Sequence, residues 1–265
     1  MKIWKKLRWF DLCRKNEISN QEKQIFKNLV ECAECIFKKT KEERGVDPDN
    51  FSISLDEHRC QCFLELIRAI LRPLQSELLL KALEEGELTF EKFPNEKKPI
   101  NNLFEPDIMS FIREQKSKYE LKLDVFKHEL YLCKDVIFAL PWNRCSYDRY
   151  ITAICLYRSN KKFKWEQQPD HDVELWLPWH IAFVEDSGNH SIAAGILNAT
   201  SASLKPTRIY DMSPILDLIG VDKDGEYYHN KGTNEIIAKV ESGRNAAVFE
   251  IGRYIKECNK KQRSF

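Results

Sequence analysis

Apolar residues recur every three to four positions through the first 120 positions of the chain, the period of an amphipathic helix. Gln21 to Lys39 sets Ile25, Phe26, Leu29, Val30, Cys32, Ala33 and Ile36 on one broad face, and "RGVDPDN" breaks the pattern. A second helical pattern begins near Leu55-Asp56 and carries Phe63, Leu64, Ile67, Ile70 and Leu71. Pro73 is expected to end or kink it, because proline lacks the N–H and crowds the preceding turn. The pattern resumes in "QSELLLKALEEGE" up to Gly86. Pro94 to Asn102 is charged and contains proline, so it reads as a linker; one more short helix is expected near Ile108 to Lys118.

From about Leu121 the texture changes. "DVIFALPW", "ELWLPWHIAFV" and "TRIYDM" are short β-prone runs bounded by Pro, Asn and Asp. They alternate with helical pieces at Tyr147 to Tyr157, Asn189 to Leu197, and within Asn234 to Glu257. Asp224-Gly225, between "IGVDK" and "EYYH", signals a hairpin turn. The expected class is α+β: a helical N-terminal region, 1–120, followed by an α/β domain with a small mixed sheet, 121–265.

Composition narrows the function classes without choosing among them. The chain has 265 residues, enough to bury a sizeable core, and its 42 Lys+Arg against 41 Asp+Glu demand neither nucleic acid nor membrane as partner. Nine cysteines at irregular spacing read as reduced thiols of a cytoplasmic protein. Lys5, Lys6 and Arg8 interrupt any apolar core of a signal peptide at the start, and no run approaches the ~18 apolar residues of a membrane span. A soluble protein is expected.

The segment most suggestive of chemistry is "VEDSGNHSIAAGI", Val184 to Ile196, where an apolar run meets a small-residue helix. The first N–H groups of a helix have no intrahelical partner and carry the positive end of its dipole. A glycine at that point, Gly188, lets a ligand approach the main chain. Asn189 and Ser191 can cap the N–H groups or bond a phosphate oxygen, and His190 can add a donor. Ala193, Ala194 and Gly195 keep the helix slim enough to lie close on a sheet. The competing structural reading makes the same four residues a helix cap, with His190 bonded to a neighbouring strand.

The same residues resemble the ParB–sulfiredoxin fold. "AFVEDSGNHSIAAGI" followed by "ASLKPTRIYDM" is similar to that group's strand, Gly-x-His-Arg-x-x-Ala-Ala helix and return strand. The resemblance implies that Gly188, His190 and Ala193 or Ala194 take the motif positions and that the helix start faces nucleotide phosphates. It covers roughly Leu121 to His229. Ser191 stands where the group usually has Arg, which replaces a bidentate phosphate contact by one neutral hydroxyl. Lys205 or Arg208, on the return strand, is the candidate to supply that charge. The paired "LPWNR" and "LPWHIAFVEDSGNHSIAAGI" blocks also resemble an uncharacterised family of bacterial proteins.

Other constellations are weaker. His190 and Ser191 are adjacent on a helix, about 100° apart, and so do not form a nucleophile–base pair; His171 and His180 are the other nearby bases. Glu185 and Asp186 are placed to hold Mg²⁺ against a bound phosphate or to act as a base, and the competing reading leaves them solvated. Cys32, Cys35, Cys60 and Cys62 with His58 carry zinc-ligand chemistry, but Cys32 and Cys35 lie inside a helix with no turn to form a knuckle, so core thiols are expected and zinc is not. "KIWKKLRWF" sets Ile3, Leu7 and Phe10 on one face with lysines flanking, suited to anionic lipid, a protein partner or the chain's own domain. Trp142, Trp176 and Trp179 are expected to pack in the core. Three functional readings remain. One is a nucleotide or other phosphate-bearing ligand at the GNHS turn, with phosphoryl transfer or hydrolysis left open. The second is a non-enzymatic interaction or DNA-associated module. The third is a metal-dependent nuclease using His190 and the neighbouring acids.

Overall fold

The computed structural model describes residues 2–46, 53–84, 103–122, 128–141, 144–159, 165–199 and 201–262. Trp142 and the Pro94–Asn102 segment lie outside the described residues, as do the side chains of the "KIWKKLRWF" stretch, whose backbone is helical. The class is α+β. The chain divides into two compact units, and each takes residues from both sides of position 120: one comprises 1–63, 104–110 and 213–265, the other 64–103 and 111–212. Among the described residues, no helix is long and apolar enough to cross a membrane.

In the first unit, helix α1 (Lys2–Val46) packs along α7 (Gly243–Gln262), the C-terminal helix. Phe26, Ala33 and Thr40, seven apart, are buried on α1, while Cys32 and Cys35 are exposed on its other side. The core-thiol expectation therefore fails for these two: Cys32 is turned about 100° from Ala33 and Cys35 about 160°. Helix α2 (Leu55–Glu84) begins in this unit and continues in the second, running through Pro73 without ending there. Near the start of α3 (Pro106–Lys116), Phe104 and Tyr228 both meet the Phe249 ring edge-on.

The first unit also holds α6 (Ile215–Leu218) and a three-stranded antiparallel sheet, β7 (Ile219–Val221), β8 (Tyr227–Asn230) and β9 (Ile236–Lys239). The turn expected at Asp224-Gly225 joins β7 to β8, where Asp222 accepts the Glu226 N–H at 2.8 Å. The final helix starts later than its pattern suggests, because Ile236–Lys239 pairs with β8 as a strand.

The second unit is built on a four-stranded mixed sheet in the order β2–β4–β3–β6. The strands are β2 (Val136–Phe138), β3 (Val173–Leu177), β4 (Ile181–Val184) and β6 (Arg208–Asp211). "ELWLPWHIAFV" is thus two strands rather than one, folded back antiparallel at Pro178–His180. β2 lies parallel to β4, and β6 parallel to β3. β1 (Leu130–Tyr131) and β5 (Ser203–Leu204) form a separate antiparallel pair. Val136, Ile137, Phe138 and all four residues of β4 are buried, as expected for short apolar strands covered on both faces. Helices α4 (Arg144–Ser159) and α5 (Asn189–Leu197) pack on each other. Ile192, Ala193 and Ala194 of α5 join Leu79, Leu132, Ile137, Tyr147, Trp165 and Val184 in one apolar core. A methyl group on Gly195 would lie 2.6 Å from Leu132 Cδ1, so the absence of a side chain there sets how closely α5 approaches.

Candidate functional site

The turn from β4 into α5 is fixed by main chain before any side chain acts. Asp172 exchanges bonds with it: its N–H donates to Ser187 O, and its carbonyl accepts from Glu185 N–H, both at 3.0 Å. Ser187 Oγ donates to Asp170 Oδ2 at 2.9 Å. Gly188 then takes φ 100°, a left-handed conformation that any side chain would strain. It is the N-cap of α5 and has no side chain with which to cap the first turn.

The two neighbours with capping chemistry are committed elsewhere. Asn189 is buried, and its Oδ1 accepts the Leu140 N–H just past β2 at 2.7 Å. Its Nδ2 donates to Glu185 O at 3.4 Å. Ser191 is also buried; Trp165 Nε1 donates to its Oγ and its carbonyl, both at 3.1 Å. These are tertiary ties joining α5 to β2 and to the Trp165 segment.

His190 points the other way. Its ring lies parallel to Tyr150 of α4, with 6.4 Å between centroids and 13° between planes. Tyr150 is exposed and His190 half-buried, so this pair forms part of the domain surface. At this turn Asp186 is exposed, Glu185, Ser187, Gly188 and His190 are half-buried, and Asn189 is buried.

Arg208 sits at the start of β6, beside β3. Its Nη2 donates to both oxygens of Asp172, at 2.8 and 2.7 Å, and lies 3.5 Å from Glu174 Oε1. Burial works against the Arg208 charge, but Glu174 and Asp172 outweigh it and hold the guanidinium above its ordinary pKa. Glu174 is buried and also accepts two bonds from Lys116 Nζ, at 2.8 and 2.9 Å. Arg208 thus binds the sheet's own carboxylates, and the charge missing at Ser191 is not replaced from this strand. Tyr210, two residues on, is pushed up to about 12 by burial and by Glu174.

His171 lies beneath the turn: it is buried, and a Cβ on Gly188 would come within 2.9 Å of its Cδ2. Burial lowers its pKa against the opposing Asp170 charge, so it is a packed neutral ring at neutral pH. Sequence reading named His171 only as a candidate base and missed Trp165, Asp172 and Tyr150. A donor for Ser191 twenty-six positions away leaves no local pattern to find. Among the described residues, no group of three or more His, Cys, Asp or Glu is placed to hold a metal ion.

Residues 12–262 match the model of a family of unknown function, DUF6710, and the chain belongs to that family. No curated protein and no solved structure matches it.

Proposed function

We propose that this chain binds a nucleotide or other phosphate-bearing ligand at the start of α5. The observation behind this reading is the glycine cap: Gly188 at φ 100° carries no side chain of its own to cap the first turn. Asn189 and Ser191, which could close the first turn, spend their polar atoms on Leu140 and Trp165. A helix start suits an anion, because its first N–H groups and the dipole both favour negative charge. His190 adds a donor at the rim. Glu185 and Asp186 repel a bare phosphate; they would hold a Mg²⁺ ion, which would offset the ligand's negative charge. Asn189, Ser191 and Arg208 then act as positioning residues. Any phosphoryl transfer or hydrolysis would run through His190 and the two acids. The ParB–sulfiredoxin likeness of this segment is in keeping with the reading.

The test is a thermal-shift and calorimetric titration with ATP, ADP and inorganic phosphate, each with and without Mg²⁺. A melting temperature raised only when nucleotide and Mg²⁺ are both present supports the site. No shift with any of them removes it.

A second reading has its own observation. Asn189, Ser191 and Arg208 are all bonded within the unit, which is what a helix cap in a non-enzymatic interaction or DNA-associated module requires. It predicts no nucleotide effect at all. Cleavage assays on DNA and RNA with Mg²⁺ separate a nuclease from both.

A further inference from the structure

The opposite end of the same sheet carries a charged cluster that the ligand reading does not use. β2 and β4 run parallel with Val136 beside Ile181, so the residues just before them, Asp135 and His180, lie side by side. Asp135 is buried. Its Oδ1 accepts Arg68 Nη2 at 2.6 Å and Nε at 3.1 Å, and its Oδ2 accepts the Tyr131 N–H at 2.7 Å. His180 Nδ1 faces the same Oδ1 at 3.7 Å, is buried, and makes no hydrogen bond. His180 sits in the β3–β4 turn at φ 55°, a left-handed conformation uncommon outside glycine. Around them, Arg68 also bonds Glu65 at 2.7 Å, Lys134 lies 3.3 Å from Glu65, and His128 adds its field from the segment before β1.

We propose that Asp135, Arg68 and His180 form an acid-sensitive latch, in which neutral His180 rests the β3–β4 turn against Asp135 and proton uptake drives that turn away. Asp135 already has its charge matched by one guanidinium and its near lone pairs filled. A second cation brings an uncompensated positive charge into a buried place, which is strongly destabilising. Burial lowers the His180 pKa; Asp135 opposes this, and Arg68 and His128 reinforce it. The sign follows: a depressed histidine contributes stability that is complete above its ordinary value of about 6.5 and is lost as pH falls through the folded value. β4 runs directly from this turn to Glu185.

The test uses the full chain. His180→Asn keeps a residue that tolerates the left-handed backbone and removes the titration. Thermal unfolding between pH 7.5 and 5 should cost the wild type several degrees more than H180N. In the histidine NMR spectrum, the His180 resonance should titrate below its ordinary value in the wild type. Arg68→Gln should raise that midpoint, because Asp135 is then left to His180 alone. That readout holds even where H180N fails to fold. A pH-independent gap between wild type and H180N overturns the latch. So does a His180 midpoint at or above the ordinary value, or one that R68Q does not raise.

Discussion

A methyl group on Gly188 would sit 2.9 Å from His171 Cδ2, and the backbone that carries it is at φ 100°. Two separate penalties meet at this residue. The left-handed conformation costs an L-residue about 1–2 kcal/mol, and the ring beneath must shift as well. Gly188→Ala should therefore destabilise the chain by about 2–4 kcal/mol in a denaturant titration. The double mutant with His171→Ala should recover the steric part and leave the backbone part. Full additivity of the two single mutations would show that the ring and the turn are not coupled.

Ser191 stands where the ParB–sulfiredoxin group usually has Arg. Its burial and its bond from Trp165 turn the substitution into a test of folding. Ser191→Arg should lower stability by about 3 kcal/mol or more, as an unpaired guanidinium forced into a packed place does. Ser191→Ala should cost only about 0.5–1.5 kcal/mol, the net value of one hydrogen bond. An S191R protein of wild-type stability that gains nucleotide affinity would reverse this assignment.

Arg208→Met separates a positioning role from a ligand role. The side chain clamps Asp172, whose main chain holds the turn through Ser187 and Glu185. Removal should cost roughly 1–3 kcal/mol, since Asp172 loses its cationic partner and keeps the Thr207 hydroxyl, while buried Glu174 keeps Lys116 and the Trp176 indole. Nucleotide affinity, measured at a temperature where both proteins are folded, should change less than threefold. A hundredfold loss of affinity with unchanged stability would place Arg208 in the site after all.

Local signals were legible in the chain, and pairings across it were not. "NHSIAAGIL" announced α5 because glycine, small residues and helical period coincide within nine positions, and the structure begins and ends that helix there. "DKDGEYY" announced the β7–β8 turn for the same reason. Pro73 does not end α2, which runs on to Glu84. Cys32 misled because an apolar residue type was counted into a face it only borders, and Cys35 lies across the helix from buried Ala33. In the site, residue types that suit an anion prove to be bonded within the fold: Asn189, Ser191 and Arg208 are satisfied by Leu140, Trp165 and Asp172. Those partners are distant in sequence, and side-chain chemistry alone cannot say whether a polar atom faces a ligand or its own fold.

Glu105 offers a pH test in the other compact unit. It is buried; its Oε1 accepts the Glu241 N–H at 2.9 Å, and Tyr228 lies beside it. Burial raises its pKa, and the Glu241 and Ser242 N–H groups only partly offset this. A carboxyl raised in the folded state stabilises in its protonated form. Its contribution is complete below the unfolded value of about 4.3 and is lost as pH rises through the folded value. Glu105→Gln keeps a carbonyl oxygen for the Glu241 N–H and removes the charge. Relative to wild type, E105Q should therefore gain stability steadily as pH is raised from about 4 to 7. Denaturant midpoints across that range measure the difference directly. A gap that stays constant, or that favours wild type increasingly at neutral pH, would mean the carboxylate is held charged by its neighbours and that burial is not the deciding effect.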